Sequence, residues 1–399
     1  MNNWVKFEDV LQIPIRNGLT KPKAVRGAGV KMIAMGEIFA NARIGELDMD
    51  RVPVTEKELS TSKIEKGDLL FARQSLVLEG AGKCSIVTSV TEHTVFESHL
   101  IRARINKDIA DPYFVFYYFN SPHGRENIKT IVEQVAAAGI RGSDLIKLSI
   151  PCPPISVQRK IANTLCSLDE KIELNQKIND NLQQQAYAYF LRLFVENADS
   201  SWRVGTIADL GTVVGGGTPS KAKPEYYTED GIAWITPKDL SIDKSKFIAH
   251  GENDISELGY RNSSATMMPA GTVLFSSRAP IGYIAIASND VTTNQGFKSV
   301  VPHPEIGTPF VYYFLIHNLP LIESKASGST FKEVSGSVMK SVEAVIPDGD
   351  TIAKFNDFCR PIFAMQEKLE QENRKLAAMR DSFLPRLMSG EIDVADIDG

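Results

Sequence analysis

The chain has 399 residues, 43% of them apolar and 23% charged, proportions of an ordinary globular protein with room for two or three domains. No apolar run approaches the roughly 18 residues that span a bilayer, and the opening Met1-Asn2-Asn3-Trp4-Val5-Lys6 lacks a signal-peptide pattern. Four scattered cysteines without a Cys-x-x-Cys pair argue against a disulfide scaffold or zinc finger and for a reducing cytoplasm, and a net charge of −5 argues against a protein that grips nucleic acid unaided.

Taken in chain order, Leu69-Leu70-Phe71 and Cys84-Ser85-Ile86-Val87 are the first clear strand candidates, short apolar runs bounded by glycine and polar residues. The aromatic run at 113–119 reads as a buried helix face. Pro153-Pro154 then opens a long helical stretch to Phe194, about 60 Å if fully helical, with Ser156 as a candidate cap. Its apolar residues step by four and three: Ile161, Leu165, Leu168, Ile172, Leu182, Ala186, Tyr189 and Leu193, with Asn175 and Asn179 filling two steps. That is a coiled-coil seam, in which an asparagine costs stability but fixes register. Val273-Leu274-Phe275 and Tyr283–Ala287 are the next strand candidates, and 310–315 the next buried helix face. A second long helix follows, with Asp348 or Asp350 as its cap and Pro361 and Pro385 expected to kink or interrupt it.

These elements repeat. Gly67–Arg73 is similar to Gly271–Arg278, Pro112–Tyr118 to Thr308–Phe314, and Ile150-Pro151-Cys152-Pro153 to Val345-Ile346-Pro347, always in the same order. Displaced by 194 residues, the first seam falls on Phe355, Cys359, Ile362, Gln366, Leu369, Asn373, Leu376, Arg380, Phe383 and Leu387, with Gln366 and Arg380 as polar blemishes. Asn179 and Asn373 take equivalent places. Each half is therefore a β-rich globular module followed by a long helix, an α+β fold with an internal pseudo-twofold repeat. If the two helices pair, they do so most simply antiparallel, with one module near each end.

Catalytic motifs are missing. Gly215-Gly216-Gly217-Thr218-Pro219-Ser220 and Gly80-Ala81-Gly82-Lys83 are not P-loops, and no dinucleotide fingerprint, zinc-protease helix or nucleophile elbow is present. No Asn-Pro-Pro-aromatic tetrad of an adenine methyltransferase occurs, and the six histidines have no metal-ligand spacing. What remains suits recognition. Arginine and lysine can pair with guanine, and asparagine or glutamine with adenine, while glycine-turn amides and hydroxyls hold phosphates. The candidates for DNA contact in the first module are Arg73, Gln74, Ser75, Lys83, His99, Arg141 and Ser143. In the second they are Gly216, Gly217, Thr218, Lys221, Lys238, Ser277, Arg278, Thr293, Asn294, Gln295, Ser329, Thr330 and Lys332.

Gly215–Ser220 followed by Gly231-Ile232-Ala233-Trp234-Ile235-Thr236-Pro237-Lys238-Asp239-Leu240 closely resembles the start of a target-recognition domain in DNA specificity subunits of type I restriction–modification systems. Phe275–Gly282, Thr293–Phe297, Pro153-Pro154 running through Gln158 into a helix, and Phe383–Glu391 resemble the same family. The first module departs most, lacking the Gly-Gly-Thr-Pro and Trp-Ile-Thr-Pro signatures. The resemblance implies target-recognition domains at 1–152 and 199–347, a central spacer helix at 153–198 and a C-terminal helix and tail at 348–399. It implies a non-catalytic bacterial or archaeal subunit that reads a bipartite site in double-stranded DNA and docks two methyltransferase subunits. Those partners would bind S-adenosylmethionine, motor-nuclease subunits would complete the complex, and the chain itself would need no cofactor, metal or membrane. A coiled-coil scaffold without DNA reading is the competing expectation.

Overall fold

β-Branched and aromatic residues fit a half-buried pleat, so the short apolar runs extend and pair. The computed structural model describes residues 3–134, 138–328 and 332–392. Leu69–Ala72 is the middle strand of a five-stranded sheet ordered Leu11–Asn17, Leu100–Ile105, Leu69–Ala72, Cys84–Val87, Arg43–Ile44. Val273–Ser277 holds the same place in a second sheet, ordered Gly211–Gly215, Lys298–Pro302, Val273–Ser277, Ile281–Ala287, Phe247–Ile248. In both, all neighbours are antiparallel except the last strand, which joins parallel. Gly67 (φ 93°) and Gly271 (φ 85°) turn the chain into the two middle strands in the left-handed conformation that favours glycine.

The two aromatic runs form the helices Pro112–Asn120 and Thr308–His317, both almost wholly buried. Each module's first strand pairs with its last: Trp4–Lys6 with Ser149–Pro151, and Arg203–Thr206 with Glu343–Ile346. This pairing closes each module on itself just before a long helix begins. The first long helix is Ile155–Leu191, and the second is Gly349–Ser389.

The chain divides into two units, one running from the N-terminus to Lys171 and again from Lys375 onward, the other spanning Ile172–Arg374. Each unit thus contains one module and part of each long helix. In the first, Ile161, Leu165, Leu384 and Leu387 join the core made by Phe7, Phe71 and Phe114. In the second, Ala186, Phe190, Phe355 and Cys359 join Phe275, Phe310 and Tyr313. The helix segments pair antiparallel within each unit: Asp169 meets Arg380 in the first, and Asn175, Asn179 and Tyr189 meet Asn373, Gln366 and Phe355 in the second. Two β-rich modules and two long, antiparallel-pairing helices make an α+β architecture with an internal repeat.

Several sequence expectations need correction. The second helix runs uninterrupted through Pro361 and Pro385. The carbonyls they deprive of a partner belong to Asp357 and Asp381, both exposed residues. Ser156 lies inside the first turn rather than capping it. The helix start is held by Gln158, fully buried, which donates to the Pro153 carbonyl (2.8 Å) and accepts from the Asp111 amide (2.9 Å). At the second helix Asp348 caps, accepting from the Thr351 amide at 2.8 Å. Asn373, which the repeat sets equivalent to Asn179, pairs with Asn175 (2.9 Å), since antiparallel helices bring residues of opposite progression together. Asn179 instead offers its carbonyl to Gln366 (3.1 Å). Seam residues Leu369 and Ile362 are buried, whereas Leu168, Ile172, Leu182, Tyr189, Leu376 and Phe383 are half-buried.

Candidate nucleic-acid interface

In the second module, three loop segments converge at the end of the middle strand. Gly211–Gly215 leads into the glycine turn, Trp234–Ile235 leads into the short helix Pro237–Ile242, and Thr292–Thr293 lies parallel to Trp234–Ile235. Between them opens a cleft of about 510 Å³ lined by Thr218, Lys221, Lys238, Arg278, Asn294 and Gln295, among others. The Thr218 hydroxyl donates to the Gln295 side chain. Lys238 pairs with Glu252 at 2.5 Å, which holds its ammonium above the usual lysine range. Arg278 lies 3.6 Å from Glu333, which also meets Lys298 at 3.4 Å. Asp239 is committed to structure: its carboxylate accepts from Thr236 N (2.7 Å), Thr236 Oγ1 (2.6 Å) and Glu252 N (2.9 Å), capping the short helix. The cleft therefore offers cations, amides and a hydroxyl, the groups that meet phosphates and base edges. Among the described residues no group of three or more histidine, cysteine or acidic side chains could hold a metal ion. No described helix is long and apolar enough to cross a membrane.

A family model for the "Type I restriction modification DNA specificity domain" matches residues 1–184 and again 199–371. The chain belongs to this family. It is 43% identical over 148 residues to the type I restriction enzyme MjaIX specificity subunit of Methanocaldococcus jannaschii, a match covering 37% of this chain and 34% of that relative. The HindI specificity subunit of Haemophilus influenzae is 25% identical over 406 residues, 82% of this chain and 87% of that one. A crystal structure of the type I restriction–modification S subunit from M. genitalium shares the fold, with a TM-score of 0.58 and 17% identity over 96% of each chain.

The family signatures have structural reasons. A Cβ on Gly216 would stand 2.1 Å from the Asn294 carbonyl oxygen, and one on Gly217 would meet the Ser264 backbone at 2.4 Å. Gly217 also donates to Thr293 O (2.9 Å) and accepts from the Trp234 indole (2.9 Å). These glycines let the backbone segments approach closely, and the Gly217 amide is already engaged. Ser277 and Thr293 are fully buried. Ser277 donates to the Gly296 carbonyl at 3.1 Å. Of the second-module candidates, Thr218, Lys221, Lys238, Arg278, Asn294 and Gln295 meet in the cleft, and Lys332 is exposed outside its lining. Ser329 and Thr330 lie outside the described residues.

The first module repeats the framework with other side chains. Leu19 N bonds to Phe96 O (2.8 Å) as Gly217 N bonds to Thr293 O, and Glu97 N to Ile33 O (3.0 Å) as Asn294 N to Ile235 O (3.0 Å). Gly18 therefore stands for Gly216 and Ile33-Ala34 for Ile235-Thr236, although no signature is visible in the sequence. Gln74, His99, Arg141 and Ser143 are exposed, Arg73 and Ser75 partly so. Arg141 pairs with Glu133 at 2.7 Å. Lys83 is occupied elsewhere, donating to the Phe39 carbonyl at 2.8 Å. Sequence reasoning missed Glu333 and Lys298, whose partners lie far along the chain. It also missed Leu76, 98% exposed at a loop tip beside Gln74.

Proposed function

We propose that this chain is the sequence-reading subunit of a type I restriction–modification complex. Each module reads one half of a bipartite site in double-stranded DNA. The paired helices set the gap between the halves and dock two methyltransferase subunits, with motor-nuclease subunits joining the full complex. The adenines are methylated from S-adenosylmethionine held by the methyltransferase partners, and this chain performs no chemistry. The observation that carries the reading is the second-module cleft, where six side chains of base- or phosphate-binding type from four separated segments meet on the framework that the first module repeats. The domain limits follow from the same reading: recognition domains at 1–152 and 199–347, helices from 153 and 348.

Physical constraints sharpen it. Two modules docked on one face of a duplex favour half-site centres about one helical turn, roughly 10 base pairs, apart. Each bidentate contact gives about 1–3 kcal/mol of discrimination. Methylation needs the adenine turned out of the stack, so local distortion contributes too. With a net charge of −5, the chain relies on its partners for much of the phosphate contact.

The test is genome-wide adenine methylation in a host expressing this chain with its methyltransferase partner. A split motif is expected only when the chain is present. Exchanging residues 200–345 for another recognition domain should change one half-site and leave the other. Complex formation with no sequence-selective DNA binding would favour the scaffold instead.

A further inference from the structure

The two modules place different side chains at one backbone position, which in the second module lies beside the cleft. The repeat that aligns Gly67 with Gly271 and Phe71 with Phe275 puts Gln74 opposite Arg278. Backbone pairing gives the same correspondence. Arg73 N donates to His99 O (2.8 Å) as Ser277 N donates to Gly296 O (2.7 Å). Arg73 O accepts from Ile140 N (3.0 Å) as Ser277 O accepts from Val334 N (3.0 Å). Arg73 is thus the counterpart of Ser277, and the next residues, Gln74 and Arg278, are counterparts of each other. A crossing segment faces both: Gly139 pairs with Gln74 in the first module, and Glu333 with Arg278 in the second.

The facing residues suit the side chains they meet. A Cβ on Gly139 would lie 3.8 Å from Gln74 Cγ, so the amide side chain passes over a residue with no side chain of its own. Opposite Arg278 stands a carboxylate, 3.6 Å from the guanidinium, which orients it without enclosing it: Arg278 remains 37% exposed at the cleft. Gln74 is exposed as well. A glutamine amide presents one donor and one acceptor, the complement of adenine N7 and N6 in the major groove. A guanidinium presents two parallel donors, the complement of guanine O6 and N7.

We propose that Gln74 and Arg278 are the matched base-reading residues of the two modules, Gln74 taking adenine in one half-site and Arg278 taking guanine in the other. The inference rests on the function proposed above and adds the base class at one position of each half. Loss of such a contact changes preference at that position about tenfold to a hundredfold.

The test selects DNA from a randomised library with the complex of the full chain and its methyltransferase subunits, alongside methylome sequencing. Q74R is expected to turn one adenine of the first half-site into guanine and leave the second half untouched. R278Q combined with E333G, which transplants the first module's arrangement, is expected to turn one guanine of the second half-site into adenine. Q74A and R278A should relax the same single positions. The inference is overturned if the selected motif is unchanged, if several positions or both halves change, or if binding disappears while circular dichroism and complex formation stay normal, which would mark phosphate anchors. Absence of any split motif with the unmodified chain would instead sink the proposed function itself.

Discussion

The two helix–module junctions solve one packing problem with opposite chemistry. In both, a tyrosine of the aromatic helix meets the long helices: Tyr117 in the first unit, Tyr313 in the second. In the first, the Tyr117 hydroxyl donates to Asp169 at 2.6 Å, and Asp169 also accepts from Arg380 at 2.7 Å. Burial, then the Asp169 charge, pushes the Tyr117 hydroxyl far up from its ordinary range. In the second, the 194-residue offset replaces Asp169 by Phe363 and Arg380 by Ala186, and the charge comes from the module itself. Lys246 is buried over the rings of Tyr312, Tyr313 and Phe363, 4.7, 5.2 and 4.2 Å from their centroids. Its Nζ donates to Gln366 Oε1 (2.7 Å) and to the Tyr313 hydroxyl (3.3 Å), while Glu370 accepts from the backbone amides of Lys246 and Phe247 (2.9 and 3.0 Å). A repeated backbone therefore conserves the shape of a junction, and the polar tie can be carried by the helix or by the module.

The largest effect should come from the first junction. Asp169→Ala leaves the Tyr117 hydroxyl and the Arg380 guanidinium without their shared acceptor in a mostly buried place. Breaking one side of such a network costs about 3 kcal/mol, somewhat less here because Arg380 keeps Asp381 at 2.8 Å and is partly exposed. Hydrogen exchange resolved by unit is the suitable measurement, since a chain of two units need not unfold in one step. Protection should fall around Pro112–Asn120 and leave Thr308–His317 unchanged. Equal loss in both helices would mean that the junctions are not independent.

How far such features can be read in advance depends on what a residue must satisfy. The heptad steps from Ile161 to Leu193 are legible because burial recurs with helical period. The same periodicity marks Gln366 and Arg380 as flaws, because it registers burial and is blind to partners more than a hundred residues away. Both are the polar ties of their junctions. The second module's cleft is legible through Gly216-Gly217 and Trp234, whose roles tolerate few substitutes. Gly18 does the same work, since a Cβ there would stand 2.0 Å from Phe96 O, yet one glycine among 28 carries no signal. Ser277 and Thr293 read as loop contacts and are interior; the Ser277 hydroxyl serves a strand-end carbonyl, that of Gly296, as readily as it would a phosphate.

The second junction should respond to pH between neutrality and the ordinary lysine range. Burial, opposed by the Glu370 charge, depresses Lys246 from its ordinary 10.5 to about 7. Between those values the unfolded chain holds a proton that the folded one has released, so the stability of this unit rises with pH across the window. Below about pH 7 both states are protonated and the cost of burying the charge is felt in full, eased by the three rings. The other groups facing Lys246 are Tyr312 and Tyr313 on the aromatic helix and Cys359 and Glu370 on the long helix. Burial raises all four. Lys246→Met should therefore flatten the rise: the unmodified chain gains on the variant from pH 7 to pH 9, by about 1–2 kcal/mol. Parallel stability–pH curves for the two chains would show that Lys246 stays charged throughout.

The smallest effect lies in the seam of the second unit, where Asn175 is fully buried and donates to Glu372 (3.0 Å) and Asn373 (2.9 Å). Its own side-chain oxygen, like that of Asn179, has no protein partner. Replacing Asn175 and Asn373 together by leucine removes both polar groups at once and fills the seam, so stability should rise by about 1 kcal/mol. If that were the whole story, a chain under selection for stability alone would carry leucine there. A buried asparagine pair instead penalises every register but one, because sliding either helix by a turn sets an amide against apolar side chains. Under the proposed function that register sets the distance between half-sites. The double variant should then gain stability and lose definition of the gap, with methylation appearing at sites of more than one spacing. A more stable variant that keeps a single gap would show that the modules' own grip on the helices, through Gln158 and Lys246, is enough to hold the register.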